Sequence, residues 1–235
     1  MRGKALKPMS FFRKFFVPLL SKLGFYELRY LAYSKVVIRS AVLLRPKLGK
    51  FLCLDIGCSN GAFTRKLSGI CDEAIGLDIN FHSDWTMNDK AGADFIVADA
   101  SRIPIRSRSV NLVVAFSLLE HVPMWGRVIE QISRVLDKGL VIIQIPNLRF
   151  IIEPHTYFPL LAYLPKRIRD VIVQVNCPGC GSLQFDCSPN NVVSALNRDG
   201  LIPLGIYAHW HAGSIQLLSR NIVPPPSYFI IALKS

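Results

Sequence analysis

Short apolar runs alternating with segments of helical period predict an α/β fold on a mostly parallel sheet. Three observations carry that reading. From Lys50 onward there are seven candidate strands, at 51–56, 73–78, 94–98, 110–115, 139–145, 201–208 and 228–233. The first of them runs into a turn built on Gly57 and Gly61. The first three each end on an acid: Asp55, Asp78 and Asp99. Strands joined through helices return to a sheet by right-handed crossovers, so this order predicts parallel neighbours with helices on both faces.

The elements follow in chain order. Residues 10–44 read as helical, with Phe11, Phe12, Phe15, Phe16, Leu19, Leu20 and Leu23 along one face. Pro18 bends or restarts that helix. A second stretch, 28–44, carries Arg29, Lys35 and Arg39 among its apolar residues, and Arg45-Pro46-Lys47-Leu48-Gly49 reads as a turn. Further helices are expected at 61–68, 83–91, 124–136 and 189–198. The last is opened by Ser188-Pro189 and closed by Gly200. Residues 147–187, rich in Pro and aromatics, break the alternation and read as an insertion, a lid over the strand ends. The organisation is thus a basic amphipathic helical extension, 1–49, followed by one α/β domain, 50–235.

Composition narrows the class. A chain of 235 residues with 51% hydrophobic and 19% charged residues buries a core without staples and is neither disordered nor low-complexity. The net charge of +12 is unevenly placed. Residues 1–50 hold 12 Lys/Arg against the single acid Glu27, whereas the rest hold 16 basic and 15 acidic side chains. Three readings compete for the cationic segment: a peripheral anchor on anionic lipid, a phosphate grip on nucleic acid, and a helix packed on the sheet with its charges solvated. The Phe-rich helical stripe favours burial over base stacking, which places nucleic acid behind the others.

No apolar run reaches the length of a membrane-spanning helix, and the N-terminus lacks the unbroken apolar core of a secretory signal. An organelle transit peptide is the competing reading of that leader. The six cysteines, Cys53, Cys58, Cys71, Cys177, Cys180 and Cys187, do not form a secreted disulfide framework. The expectation is therefore a cytoplasmic protein, with peripheral contact at a membrane surface through residues 1–50.

The chemistry concentrates at the strand ends. In open α/β sheets ligands bind at the carboxyl ends of the strands, and glycines in the first turn let backbone approach them. Asp78, 23 positions after Asp55, is placed to accept both hydroxyls of a ribose. Asp99, 21 positions further on, can accept from an exocyclic amino group. Each acid alone would be an ordinary turn or cap residue; three at near-equal spacing are a pattern. A dinucleotide site is the weaker reading, because the turn is Gly57-x-x-x-Gly61 and not Gly-x-Gly-x-x-Gly.

The series Leu54-Asp55-Ile56-Gly57-Cys58-Ser59-Asn60-Gly61, Gly76-Leu77-Asp78-Ile79-Asn80, Ala98-Asp99-Ala100 and Phe116-Ser117-Leu118-Leu119-Glu120-His121-Val122-Pro123 resembles the class I S-adenosylmethionine-dependent methyltransferases of the type 11 kind. The likeness is close over about 50–146 and looser beyond. It implies a Rossmann-like seven-stranded sheet whose last strand is antiparallel. It also implies S-adenosyl-L-methionine as cofactor. Asp55, Gly57, Cys58, Ser59, Asn60 and Gly61 would lie by the methionine moiety and Asp78 with Ile79 on the ribose. Asp99 with Ala100 would hold the adenine, and Phe116 with Ser117 would sit by the methionine end. The family often has a third glycine where this chain has Ser59.

Methyl transfer from a sulfonium needs alignment, plus a base where the acceptor is a hydroxyl. His155, in the lid, and His121, after the fourth strand, are the candidate bases, each with a structural alternative. His209 and His211, flanking Trp210, are weaker candidates for the acceptor pocket. Cys177-Pro178-Gly179-Cys180 with Cys187 resembles half a zinc knuckle, but structural zinc wants four ligands, so free cysteines in a turn are expected and no metal. The lid segment Pro159–Arg169, apolar and then basic, suits a small-molecule, lipid-like or glycan acceptor. The alternatives are a tRNA or rRNA methyltransferase gripping through residues 1–50, and a non-catalytic adaptor that keeps the cofactor site.

Overall fold

The computed structural model describes residues 33–40, 50–86, 92–210, 214–217 and 225–235. Its strands are β1 (Leu52–Ile56), β2 (Glu73–Asp78), β3 (Ala93–Val97), β4 (Val110–Phe116), β5 (Leu136–Pro146), β6 (Ile202–Trp210), β7 (Ser214–Leu217) and β8 (Ser227–Lys234). Residues 33–40 form helical turns, labelled α1. The other helices are α2 (Ala62–Leu67), α3 (Trp125–Val135), α4 (Lys166–Asn176) and α5 (Pro189–Arg198).

All eight strands join one sheet in the order β3-β2-β1-β4-β5-β8-β6-β7. The run β3-β2-β1-β4-β5 is parallel, and β8 enters antiparallel between β5 and β6. The expected sheet, seven strands with the last one antiparallel, is therefore present. One short strand is added to it, β7, which pairs antiparallel to β6 at the edge. The strand order reverses between β2-β1 and β4-β5, and that reversal opens a crevice at the carboxyl end of β1.

Period-two alternation divides the side chains of the central strands between two cores. Val113 and Ala115 of β4, with Leu54, Val141 and Ile143, pack under Val128, Ile129 and Ile132 of α3 and Val192 and Leu196 of α5. Leu112 and Val114, with Cys53 and Ile142, pack on the other face against Tyr33 and Val37 of α1 and Phe63 and Leu67 of α2. Both faces are covered, which is why these strands read as continuous apolar runs. In α1, Tyr33 and Val37 are buried one turn apart while Lys35 and Arg39 are exposed. Tyr33 meets Phe116 and Phe229 at ring-centroid distances of 4.7 and 5.1 Å. The described part of the cationic segment thus packs on the sheet with its charges outward. Residues 1–32 and 41–49 lie outside the described residues, as do Pro18, the turn at 45–49 and the anchor and phosphate-grip readings.

Three expectations need correction. The helix expected at 83–91 is a 3-10 turn at Ser83–Thr86, and 87–91 lie outside the described residues. The insertion 147–187 is more regular than its composition suggests. It holds a 3-10 turn at Leu161–Tyr163 and the eleven-residue α4. Its own small core joins Leu148, Leu161, Val173 and Leu183. Cys53 and Cys71 are disulfide-bonded, and so are Cys177 and Cys180, where free thiols were expected. In the second pair the Cys180 N–H donates to the Cys177 carbonyl at 2.9 Å, and that tight turn brings the two sulfurs together. Cys58 and Cys187 are free and buried. Among the described residues no helix is long and apolar enough to cross a membrane.

Candidate functional site

A cleft of about 940 Å³ opens at the strand reversal. Its floor is the turn after β1. Gly57 and Gly61 have φ of +76° and +80°, a region that L side chains rarely adopt. A Cβ on Gly61 would lie 2.4 Å from the Phe95 ring. Both positions therefore require glycine, and the turn tightens into α2. Ser59 also has positive φ, at 50°. It is the place where the resemblance leads one to expect glycine. Its strain is offset by two hydrogen bonds: its N–H donates to Asp78 Oδ2 at 2.9 Å, and its carbonyl accepts from Trp85 Nε1 at 2.8 Å.

The three acids sit differently. Asp55 is buried behind the turn and accepts from Thr64 Oγ1 at 2.7 Å. Burial raises its pKa to about 7 against the Thr64 hydrogen bond, with the nearby Asp78 charge adding to the rise. Asp78 faces the cleft while accepting from Ser59 N and from Asn80 N, the latter at 2.9 Å. Asp99 accepts from Ser101 N at 2.7 Å, capping the 3-10 turn Ala100–Arg102, and also faces the cleft. Of the residues expected at the cofactor, Gly57, Ser59, Asp78, Ile79, Asp99, Ala100 and Ser117 line the cleft. Asp55, Cys58, Asn60, Gly61 and Phe116 do not line it: Asp55, Cys58 and Gly61 are buried and Phe116 is half-buried, whereas Asn60 is exposed. Burial pushes the Cys58 thiol up to about 12, so it serves as a small apolar filler.

Ser117, just past β4, has φ +49°. Its hydroxyl donates to Gln144 Oε1 at 2.8 Å and its N–H to the Gln144 carbonyl at 3.0 Å. These two bonds clamp the ends of β4 and β5. Beyond Ser117 the cleft continues under the lid, where His121, Pro154, His155, Tyr157, Cys180 and Gly181 line it.

His121 and His155, the two candidate bases, lie side by side, with ring centroids 4.9 Å apart. Each ring is held through Nδ1. His155 Nδ1 lies 2.6 Å from Glu153 Oε1, and His121 Nδ1 lies 3.1 Å from the Cys180 carbonyl. Glu153 is fully buried and also accepts from His155 N, Thr156 N and Thr156 Oγ1. Burial works against its charge, but the His155 and Thr156 hydrogen bonds outweigh that and hold the carboxyl below its ordinary range. For His155 burial disfavours the cation, yet the Glu120 and Glu153 carboxylates push its pKa up to about 9.

Glu120, Glu153 and Tyr157 were not singled out from sequence. The signal available for the first two was an acid beside each candidate histidine, in Glu120-His121 and Glu153-Pro154-His155. The side chains of His209 and Trp210, and all of His211, lie outside the described residues.

Residues 54–143 match the family model described as a methyltransferase domain. Curated relatives include an uncharacterized protein of Methanocaldococcus jannaschii, 30% identical over 118 residues, which are 49% of this chain and 45% of the relative. An uncharacterized chloroplastic methyltransferase of Arabidopsis thaliana is 30% identical over 156 residues, 57% of this chain and 43% of the relative. The chain spans less than half the length of these relatives. Among solved structures, an S-adenosylmethionine-dependent methyltransferase of Thermotoga maritima shares the fold with a TM-score of 0.60 at 14% identity, covering 95% of this chain and 98% of that one. One from Mesorhizobium loti has a TM-score of 0.60 at 15% identity, covering 84% of this chain and 96% of that one.

The residues present suit this cofactor. Gly57 leaves part of the floor of the cleft without a side chain, the carboxylates of Asp78 and Asp99 face inward, and the volume admits a nucleoside with an amino-acid arm. The matched segment and the order of the strands agree: residues 54–143 match a methyltransferase domain, on a sheet whose fold is shared with S-adenosylmethionine-dependent methyltransferases.

Proposed function

We propose that the chain transfers a methyl group from S-adenosylmethionine to a hydroxyl of a small-molecule, lipid-like or glycan acceptor. The observation that carries this is one continuous cleft. It joins the cofactor acids, Asp78 and Asp99, to the buried histidine–carboxylate cluster under the lid.

When bound, S-adenosylmethionine supplies a methyl group already activated by the sulfonium charge. The chain's own work is to bind, align, exclude water and accept a proton. Asp78 and Asp99 fix the nucleoside by accepting its donors, and the Ser117–Gln144 clamp keeps the end of β4 rigid where the methyl end would lie. A backbone carbonyl only accepts, so the Cys180 contact puts the proton of neutral His121 on Nδ1 and leaves Nε2 basic. His155, with its raised pKa, already holds its proton at neutral pH and pairs with Glu153. His121 is thus the base for the acceptor hydroxyl, and His155 positions the lid.

The outer surface of the lid supports an amphiphilic acceptor. Ile151, Leu160, Tyr163, Ile168, Val171 and Val175 are each more than half exposed, beside Lys166 and Arg167. Exposed apolar side chains beside basic ones suit a lipid-like or anionic partner. Incubation with methyl-labelled S-adenosylmethionine and separate lipid, glycan and RNA pools tests the reading. Label in an organic-extractable or glycan product is the expected result. Label in RNA, lost on removing residues 1–22, would replace it with the nucleic-acid reading. Cofactor binding with no labelled product in any pool would favour the adaptor.

A further inference from the structure

Glu120 is a chemical anomaly. It has no exposed surface, and neither carboxylate oxygen has a hydrogen-bond partner. A buried carboxylate without donors is costly, and native structures answer it with a cation or a metal ion. The groups facing it are two imidazole nitrogens: His121 Nε2 at 3.7 Å and His155 Nε2 at 3.8 Å from Oε1. One ligand atom from each of the three residues falls within 4.8 Å of the others.

From this we infer that Glu120, His121 and His155 form a binding site for a divalent first-row transition cation of the zinc or cobalt type, with its open positions facing the cleft. The support around the rings is what such a site needs. Metal-binding histidines typically give their other ring N–H to a carboxylate or a backbone carbonyl, which fixes the tautomer and aims the free lone pair. Here His155 Nδ1 is held by Glu153 and His121 Nδ1 by the Cys180 carbonyl, so both Nε2 atoms converge on Glu120, and the cation would displace the proton that His155 carries in the metal-free chain. Bonds of about 2.0–2.1 Å set ligand atoms roughly 3.4 Å apart, so the carboxylate–imidazole separations need little closure. Two imidazoles with one carboxylate suit a transition cation better than Mg²⁺ or Ca²⁺, which want oxygen ligands. Three protein ligands leave room for a water or an acceptor oxygen, and His121 and His155 line the cleft on that side. This set differs from the knuckle suggested by the cysteines, two of which are joined in a disulfide.

The inference extends the same cleft but does not rest on methyl transfer. Occupied, the site would engage the His121 Nε2 that takes the acceptor's proton in the metal-free reading, and would offer the acceptor oxygen a metal position instead.

The test is titration of the chelator-treated full chain with Co²⁺, followed by visible absorption, with S-adenosylhomocysteine binding measured in parallel. A d–d band saturating at one ion per chain is expected, displaced by Zn²⁺ and not by Mg²⁺. Glu120→Gln, His121→Ala and His155→Ala should each weaken Co²⁺ at least tenfold. Glu120→Gln alters a buried group, so the two histidine variants, whose rings reach the cleft, are the safer arm. Retained S-adenosylhomocysteine binding certifies their fold. Absence of a saturable band, a band unchanged in both histidine variants, or displacement by Mg²⁺ at equal concentration would overturn the site. Failure of cofactor binding with Co²⁺ binding intact would instead count against the methyltransferase reading alone.

Discussion

The two halves of the cleft are built by different rules. In the cofactor half every group hangs on the end of one strand or the turn after it: Gly57 and Ser59 after β1, Asp78 on β2, Asp99 after β3 and Ser117 after β4. Backbone register alone brings them together. The other half, proposed to take the acceptor, is assembled from remote segments. Glu120 and His121 come from the turn after β4, Glu153 and His155 from the start of the lid, and the Cys180 carbonyl from the disulfide loop at its far end. The first half is held by the sheet, the second by side-chain charge. Damage to the first should therefore reach folding and cofactor together, whereas damage to the second should spare both and cost turnover.

Asp55 offers the largest way to break that contrast. Its carboxyl is raised from an ordinary 3.8 to about 7, chiefly by burial. A raised carboxyl binds its proton more tightly in the folded chain, so its contribution is full below about pH 4 and is lost as pH rises through 7. The expected loss is on the order of 4 kcal/mol across that window. Asp55→Asn, which keeps an acceptor for Thr64, should flatten this part of the pH–stability profile. Urea unfolding at several pH values checks it. An unchanged slope in the variant would mean that the frame of the cofactor half is not electrostatically strained.

Gly61→Val follows. It forces a β-branched residue into positive φ and drives a Cβ into Phe95. The strain is about 1–3 kcal/mol and the overpacking adds a similar amount, so a loss of about 3 kcal/mol is expected in denaturant unfolding, with weakened S-adenosylhomocysteine binding. His121→Ala tests the other half. It should lower methyl transfer about 100-fold, the smaller end of general-base effects, while calorimetric S-adenosylhomocysteine affinity stays unchanged. Equal losses in turnover and cofactor affinity would erase the proposed division of labour. Asp78→Ala should behave oppositely, weakening S-adenosylhomocysteine about tenfold to 100-fold through lost charged hydrogen bonds.

The same division explains what was legible in the sequence. Strands buried on both faces appear as apolar runs, and strand ends follow from run ends, so β2 at Glu73–Asp78 and the acids at its neighbours could be read directly. The Ser188-Pro189 start gave α5, whose Ser188 hydroxyl indeed accepts from Asn191 N. The lid was opaque for the opposite reason. Only Val173 of α4 is buried, and the apolar spacing Ile168, Val171, Ile172 and Val175 was obscured by the Pro- and aromatic-rich residues around it. Glu120 was hidden too, because its meaning depends on His155, 35 positions later, and no periodicity records that encounter. Cys53 and Cys71 are both buried, and only the folded distance between β1 and the start of β2 reveals the bond that was not expected.

The smallest effect tests the lid. Ile168, Val171 and Val175 stand one or two turns apart on α4 and leave most of their surface in water. Replacing Val171 and Val175 by Ser removes no core contact of consequence, so stability should stay within about 0.5 kcal/mol per site. S-adenosylhomocysteine binding should not move, since neither residue lines the cleft. Under the amphiphilic-acceptor reading, KM for a lipid-like acceptor should rise several-fold with kcat preserved, because the stripe contacts acceptor chains or the surface that presents them and not the reacting atoms. A fall in kcat at constant KM would place the stripe in lid closure instead. No change in either would remove the apolar surface from the case for a lipid-like acceptor and leave the glycan or small-molecule readings to explain the cleft.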